Sequence, residues 1–246
     1  SAPIARLAIV AAIVALWQVA PAIGLIDPRL LPPPSDVMAM LVRLLGEADF
    51  RVHIATTLSE TAVAFLVAVP AGFVLAVLIG ESPYLSAVFK PLVFFIFSIP
   101  KSIFLPLFIF AFGITFQQKV AFGVFSTIFI VMMISFAALE SVRSDLIRVA
   151  RSYGATRMQM IVRVYLPCMT PVLLEAIRVA MIFNFTGVLL AEMYASRRGL
   201  GNVIEQWGQG FQLDRLLACI VLVAVVAILF NEAIRALESR SQHWRV

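Results

Sequence analysis

Lysine, histidine and cysteine are nearly missing from this chain, which has three, two and two of them in 246 residues. The cysteines, Cys168 and Cys219, stand far apart in apolar surroundings. That spacing makes neither a disulfide framework nor a metal site, and both read as small core residues. His53 and His243 lie at opposite ends, no His-Glu-x-x-His or Gly-x-Ser-x-Gly occurs, and no carboxylate pair converges by spacing. Metal-assisted and nucleophilic hydrolysis therefore lack their residues, and the histidines read as interfacial or tail positions. None of Lys90, Lys101 and Lys119 follows a glycine, so a phosphate-cradling Gly-x-x-x-x-Gly-Lys loop is absent and the chain holds no ATP by that route. Charge is scarce too, at 13% of residues, while 62% are apolar. A soluble domain carries about 25% charge, so water is the wrong solvent for this surface.

What is present is apolar sequence in runs of membrane length. Residues 7–26, 61–80 and 120–139 each contain no charge, and about 20 such residues cross a bilayer core. A further stretch from Pro91 to Phe116 is interrupted only by Lys101 and carries Pro91, Pro100 and Pro106; it is expected to span while kinked, since each interior proline removes a helix hydrogen bond. Pro171 to Ala191 contains Glu175 and Arg178, and Leu216 to Asn231 is short unless Arg215 and Glu232 snorkel. These features predict an all-α, single-domain membrane protein over 1–246, with spans near 7–26, 55–80, 89–116, 119–139, 170–192 and 214–236. A competing reading takes the first run, ending near Ala20-Pro21-Ala22, as a signal peptide, but its length exceeds the usual core of about 7–15 residues. The chain opens on Ser1 and not Met, which leaves room for a basic N-terminal extension.

The net charge of +5 acts first as a topology signal. Residues 140–169 hold Arg143, Arg148, Arg151, Arg157 and Arg163 against Glu140 and Asp145, and Arg235, Arg240 and Arg245 follow the last span. Arg29, Arg43 and Arg51 are offset by four acids, and Arg197 and Arg198 by Glu192 and Glu205. Both termini are therefore expected inside. After Pro32-Pro33-Pro34, which excludes helix, Ser35 as N-cap, Asp36 in the first turn and Gly46 past the last turn predict a helix over 35–46. Its apolar Val37, Met40, Leu41, Leu44 and Leu45 would lay it on the outer membrane surface.

The arginine-rich loop carries strong local signals. Ser144 is expected to cap a helix with Asp145 in its first turn and Arg148 and Arg151 in its last, and Gly154 to stop it in the left-handed conformation. Thr156 and Gln159 fit a capping box for a second short helix, with Ala155 and Met160 as its staple, and Pro167 ends or kinks that helix. Such an element reads either as a topology-setting loop or as a docking knob for a cytoplasmic subunit. Tethering by spans at both ends argues against a DNA-reading helix-turn-helix, so nucleic acid is not an expected partner.

Gly154, followed after nine residues by Val164-Tyr165-Leu166-Pro167, resembles the cytoplasmic motif of permease subunits in binding-protein-dependent ABC importers. Leu31-Pro32-Pro33-Pro34-Ser35, Leu105-Pro106-Leu107-Phe108, Ala191-Glu192-Met193 and Arg198-Gly199-Leu200-Gly201 are similar to the nitrate, sulfonate and taurine branch, so the resemblance runs along nearly the whole chain. The motif normally opens Glu-Ala-Ala, and Arg148-Val149-Ala150 stands there instead, a base for an acid. The resemblance implies a prokaryotic inner-membrane permease paired with a second copy, expected to be identical. It implies two ATPase subunits inside, which bind the ATP and Mg that this chain does not, and a substrate-binding protein outside. It assigns ATPase coupling to Arg148, Val149, Ala150, Arg151, Ser152, Tyr153, Gly154, Ala155 and Thr156, with Leu166 and Pro167. The implied cargo is a small organic anion or oxyanion. An ion-coupled carrier or channel working without ATP is the rival.

Ionisable groups inside spans are costly and so are functional candidates. Glu175 and Arg178 sit three apart on one helix face, where mutual neutralisation competes with a gating role. Lys101 has no charged sequence neighbour and either snorkels, pairs with another span or meets a passing anion. Asn184 either bonds between helices or lines the path. Lys101, Ser102, Asn184 and Glu192 are the candidate path residues. Ala71, Gly72 and Ala76 allow close helix approach.

Overall fold

The computed structural model describes residues 2–241, with side chains described for 4–236, so His243 and Arg245 and the side chain of Arg240 lie outside the described residues. All regular structure among the described residues is helical: α1 (Ala2–Ala22), α2 (Pro34–Gly46), α3 (Ala48–Gly80), α4 (Pro83–Ser98), a 3-10 turn (Lys101–Phe104), α5 (Leu105–Phe112), α6 (Phe116–Glu140), α7 (Ser144–Ser152), α8 (Arg157–Met160), a π-helical stretch (Ile161–Tyr165), α9 (Leu166–Tyr194), α10 (Leu200–Gln209) and α11 (Leu213–Ser241). Five helices are long and apolar enough to cross a membrane, and six if α4 and α5 count as one broken span. In hydrocarbon every backbone polar group must find a partner within the segment, which is why apolar runs of this length become helices.

The chain divides into two compact units, residues 1–57 with 192–228, and residues 58–191 with 229–246. In the first unit, α1 packs on α2. Trp17 Nε1 donates to the Pro32 carbonyl at 3.1 Å, and Gln18 bonds Ser35 through both its amide atoms. Ser35 is therefore not the N-cap: Pro34 is the first helical residue, where a missing N–H costs nothing, and Pro33 precedes it. Gly46 closes α2 from inside the helix, and Val37, Leu41 and Leu44 form its buried face. Most side chains of α1 are exposed, an apolar surface suited to lipid or to another helix.

In the second unit, α6 is the central helix. Close approach replaces large side chains along it. A Cβ on Gly123 would come within 2.9 Å of Ala64 on α3 and 2.8 Å of Val188 on α9, and one on Gly187 within 2.7 Å of Ser126 Oγ. Small residues of this kind let membrane helices approach backbone to backbone, where dispersion and hydrogen bonds supply the attraction that lipid removes from the hydrophobic effect. The expected small-residue stripe on α3 serves the same end, with Gly72 against Val131 and Ala76 buried with Met132 and Phe136. Asn184, fully buried, donates from Nδ2 to the Thr61 carbonyl at 2.8 Å and tethers α9 to α3.

The proline-rich segment differs from a gently kinked span. Pro91 sits inside α4 without a break, Pro106 starts α5, and the chain turns by 88° at the break containing Pro100. Proline disfavours helix in the residue before it, and here that residue is Ile99, in extended conformation. Pro167 does not end its helix, which runs continuously over Arg157–Tyr194. The turn before it widens to π-helix, and Leu166 N–H reaches back five residues to Ile161 O. That wider turn carries the ladder past a residue with no N–H.

Candidate functional site

At the far end of the second unit, α7 and the start of the long helix form the bent element expected from sequence. Gly154 has φ +72°; its N–H donates to Arg151 O and that of Ala155 to Ala150 O. These two bonds satisfy the last carbonyls of α7 in a Schellman turn, which favours glycine because an L side chain is strained at that φ. The capping box is complete, with Gln159 N–H on Thr156 Oγ1 and Thr156 N–H on Gln159 Oε1. Ser144 is instead the first residue of α7 and leaves the cap unmade. Arg143 beside Asp145, at 2.7 Å, holds that carboxyl below the usual carboxylate range, by hydrogen bonding first and by charge second.

One face of this element is anchored. Ile147, Ala150 and Ala155 pack against the buried cluster of Ala138, Val142, Met160, Tyr165 and Met169. Arg157 pairs with Glu81, and Lys90 with Glu140 at 2.5 Å. The opposite face is free, with Val149, Tyr153 and Met158 exposed and Arg148 and Arg151 beside them. Tyr153, at 87% exposure, is the most prominent apolar group on it. A rigid, basic, partly apolar knob is held out from the spans.

On the second unit, Lys101 and Ser102 line an open pocket of about 380 Å³ with Phe122, Ser126, Phe183 and Thr186 among its walls. Lys101 Nζ lies 4.0 Å from the centroid of the Phe97 ring and donates to the Phe97 carbonyl; no carboxylate pairs with it among the described residues. Asn184 faces helices and not this cavity. Glu175 is exposed, and no ion pair joins it to Arg178, so that expected neutralisation is not made. Arg178, by contrast, is half-buried.

Glu192 belongs to a different arrangement, in the first unit. Gly199 begins α10 and has no side chain to cap it. Gly201 N–H donates instead to Glu192 Oε2 at 2.7 Å, and Leu200 N–H to Thr57 Oγ1 at 2.7 Å. Thr57 in turn donates to Glu192 at 2.7 Å. The carboxyl serves as a remote cap on orphan donors where a helix dipole favours negative charge. Glu192 is fully buried, with Thr57 and Gly201 bonded to its carboxyl. His53 is likewise buried and not interfacial, with Nδ1 accepting from Gly199 N–H at 2.9 Å. Sequence reasoning quoted Ala191-Glu192-Met193 and Arg198-Gly199-Leu200-Gly201 as separate motifs and missed that Thr57 and His53 bind them. The signal was there in a polar threonine and histidine on an otherwise apolar helix.

The first unit also carries a surface groove of about 570 Å³, lined by Arg29, Asp36, Met40, Arg43, Phe211 and Asp214. Phe211, 81% exposed, holds φ 51°, a conformation rare for a bulky residue.

Comparison with known proteins adds the following. The chain is 30% identical over 239 residues to the taurine transport system permease protein TauC of Escherichia coli strain K12, covering 95% of this chain and 87% of that protein. It is 28% identical to the putative aliphatic sulfonates transport permease protein SsuC of Bacillus subtilis strain 168, covering 96% and 85%. A bacterial ABC transporter for import of the acidic polysaccharide alginate has a chain that matches with a TM-score of 0.71 at 20% identity, covering 96% of this chain and 95% of that one. A chain of the MetNI methionine ABC transporter, inward-facing, matches with a TM-score of 0.66 at 22% identity, covering 83% and 97%. Residues 68–243 match the model of binding-protein-dependent transport system inner membrane components, and with apolar spanning helices, a protruding basic knob and no nucleotide loop, the chain belongs to that family of ABC importer permeases.

Proposed function

We propose that this permease forms the membrane path of an ATP-driven importer for a small organic anion, and that α7 with Gly154 is the handle gripped by two partner ATPase subunits. The exposed face of Val149, Tyr153 and Met158 between arginines carries the reading, because it is held rigidly from behind and has no intramolecular cover. The arginine excess supports placing this element, and with it both termini, on the cytoplasmic side. Arg148 at the motif's acidic position calls for an acidic group on the partner's surface. The groove around Phe211 suits the external binding protein, and the open Lys101 pocket suits completion by a second permease copy. The names of the relatives support a sulfonate or similar oxyanion as cargo. ATP drives alternation only by binding the two conformations with different affinity.

Gly154→Val tests this. A β-branched residue in the left-handed region costs about 1–2 kcal/mol and tilts the knob. In proteoliposomes with the partner ATPase, ATP hydrolysis should continue while uptake falls about tenfold or more. Uptake equal to the parent's would remove the handle from the mechanism.

A further inference from the structure

The basic knob is rooted at two points, and opposite charges fasten both roots to one hairpin. α3 ends at Gly80, Glu81 and Ser82 make the turn, and α4 starts at Pro83. That turn is stiff: Ser82 Oγ accepts from Leu85 N–H to cap α4, and Ser86 Oγ donates to the Ile79 carbonyl at 3.0 Å. Glu81 pairs with Arg157, which directly follows the capping Thr156, and Lys90 on α4 pairs with Glu140, the last residue of α6 before the knob. The hairpin side chains are the more buried partners, Glu81 at 14% exposure and Lys90 at 23%, against 60% for Arg157 and 68% for Glu140. Lys90 also lies 5.3 Å from the centroid of the Phe136 ring. The two pairs have opposite polarity, so an exchange of partners would set Glu81 against Glu140 and Lys90 against Arg157. Repulsion in the exchanged arrangement fixes which root meets which part of the hairpin. Beside them Gly80 lets α3 close on α6, since a Cβ there would stand 2.6 Å from Leu139 Cδ1.

α4 continues past Pro91 to Ser98, and the chain then turns by 88° ahead of Lys101 and its pocket. At about 1.5 Å per helical residue, Lys90 stands about 12 Å from that bend along one rod. Ion pairs with an exposed member add little stability, because water solvates the separated charges nearly as well. Their use here is to fix position. From these observations we infer that the α3–α4 hairpin is the lever that carries movement of the knob to the bend at Pro100, with Glu81 and Lys90 as its positioning residues. When the knob shifts, both roots draw the hairpin with them, and α4 delivers the displacement to the turn before Lys101. Coupling between distant sites needs an element with two arrangements that both sites bias, and the broken span of α4 and α5 supplies it. This inference rests on the knob being the ATPase handle, which provides the movement; the lever gives its route.

The test follows the bend directly and needs no cargo. The full chain with its partner ATPase subunits, in nanodiscs, carries Ser98→Cys at an exposed position beside the bend, in a background without Cys168 and Cys219. Labelling by a water-soluble maleimide is timed with and without ATP and vanadate, and trapping should change its rate about threefold or more. Arg157→Glu should abolish that change while ATP hydrolysis continues, and Glu81→Arg added to Arg157→Glu should restore it. The same should hold for Lys90→Glu alone and with Glu140→Lys, while Arg157→Lys, which keeps the charge, stays near the parent. A reversed pair no better than Arg157→Glu alone, or hydrolysis lost in both, would make Arg157 a contact of the ATPase and overturn the inference. Labelling that ignores nucleotide in the parent, or that keeps its response after the single reversals, overturns it equally. Gly154→Val separates the two readings. A response to nucleotide that survives in that variant removes the handle, whereas a response lost there and kept in Arg157→Glu removes the lever alone.

Discussion

Thr57 shows how much one hydroxyl can hold. It donates to Glu192 and accepts from Leu200 N–H, so both ends of its hydrogen-bonding capacity are used inside a buried site. Thr57→Val keeps the shape and removes both bonds, leaving the buried Leu200 amide without the hydroxyl it donates to. The expected loss is about 1–3 kcal/mol, read as a lower melting temperature in nanodiscs, with Thr57→Ser close to the parent. A Val variant that melts with the parent would show that the cap contributes nothing. Gly199→Ala should be worse, because its Cβ would stand 2.2 Å from Glu192 Oε1 and the backbone φ is +116°. At this scale the sequence was a poor guide: Glu192 is as acidic in a path as in a cap, and only its partners distinguish the roles.

Among the elements, the π-turn before Pro167 has the clearest consequence. Pro167→Ala restores an N–H, allows ordinary α-helix, and shifts the upstream register by one residue, a rotation of about 100°. Arg157 would then swing away from Glu81, which it pairs with in the parent. In a background without Cys168 and Cys219, cysteines placed at positions 81 and 157 should be joined, in the parent, by a bismaleimide long enough to replace the paired Glu81 and Arg157 side chains, and should fail to be joined in the Pro167→Ala variant. Persistent cross-linking would mean that proline does not impose the wide turn. The Arg143–Asp145 pair bears on acid behaviour of the same element. A carboxyl held low contributes above its unfolded pKa and loses that contribution as pH falls through the folded value, so the pair is intact at neutral pH and breaks only in acid. The bend of α7, its glycine and its capping box were legible because they depend on a few adjacent residues. The Ser35 and Ser144 caps were misplaced by one or two positions, since the residue that starts a helix is decided by what else competes for the serine hydroxyl. Ser35 bonds Gln18, and Ser144 lies 3.4 Å from Asp145.

As a whole molecule, the chain belongs to the importer permeases, and the proposed reading assigns its energy source to partner ATPase subunits. Purified chain alone in liposomes should show no uptake of an organic sulfonate, and addition of the partner ATPase with ATP should restore it. Uptake by the chain alone, driven by an ion gradient, would place it with secondary carriers. The exposed apolar length of α1 fits a molecule that works in lipid.

Hydrophobic run length, arginine bias and local capping signals determined the helical membrane class, the approximate spans and the place of the basic knob. Each is additive or short-range, so it survives reading one residue after another. Only the tertiary structure decided that Glu192 and Asn184 bind protein, and that Pro100 turns the chain sharply while Pro91 does not. Those outcomes depend on which helices meet at which depth, and a buried polar group takes its role from whatever partner lies within about 3 Å of it.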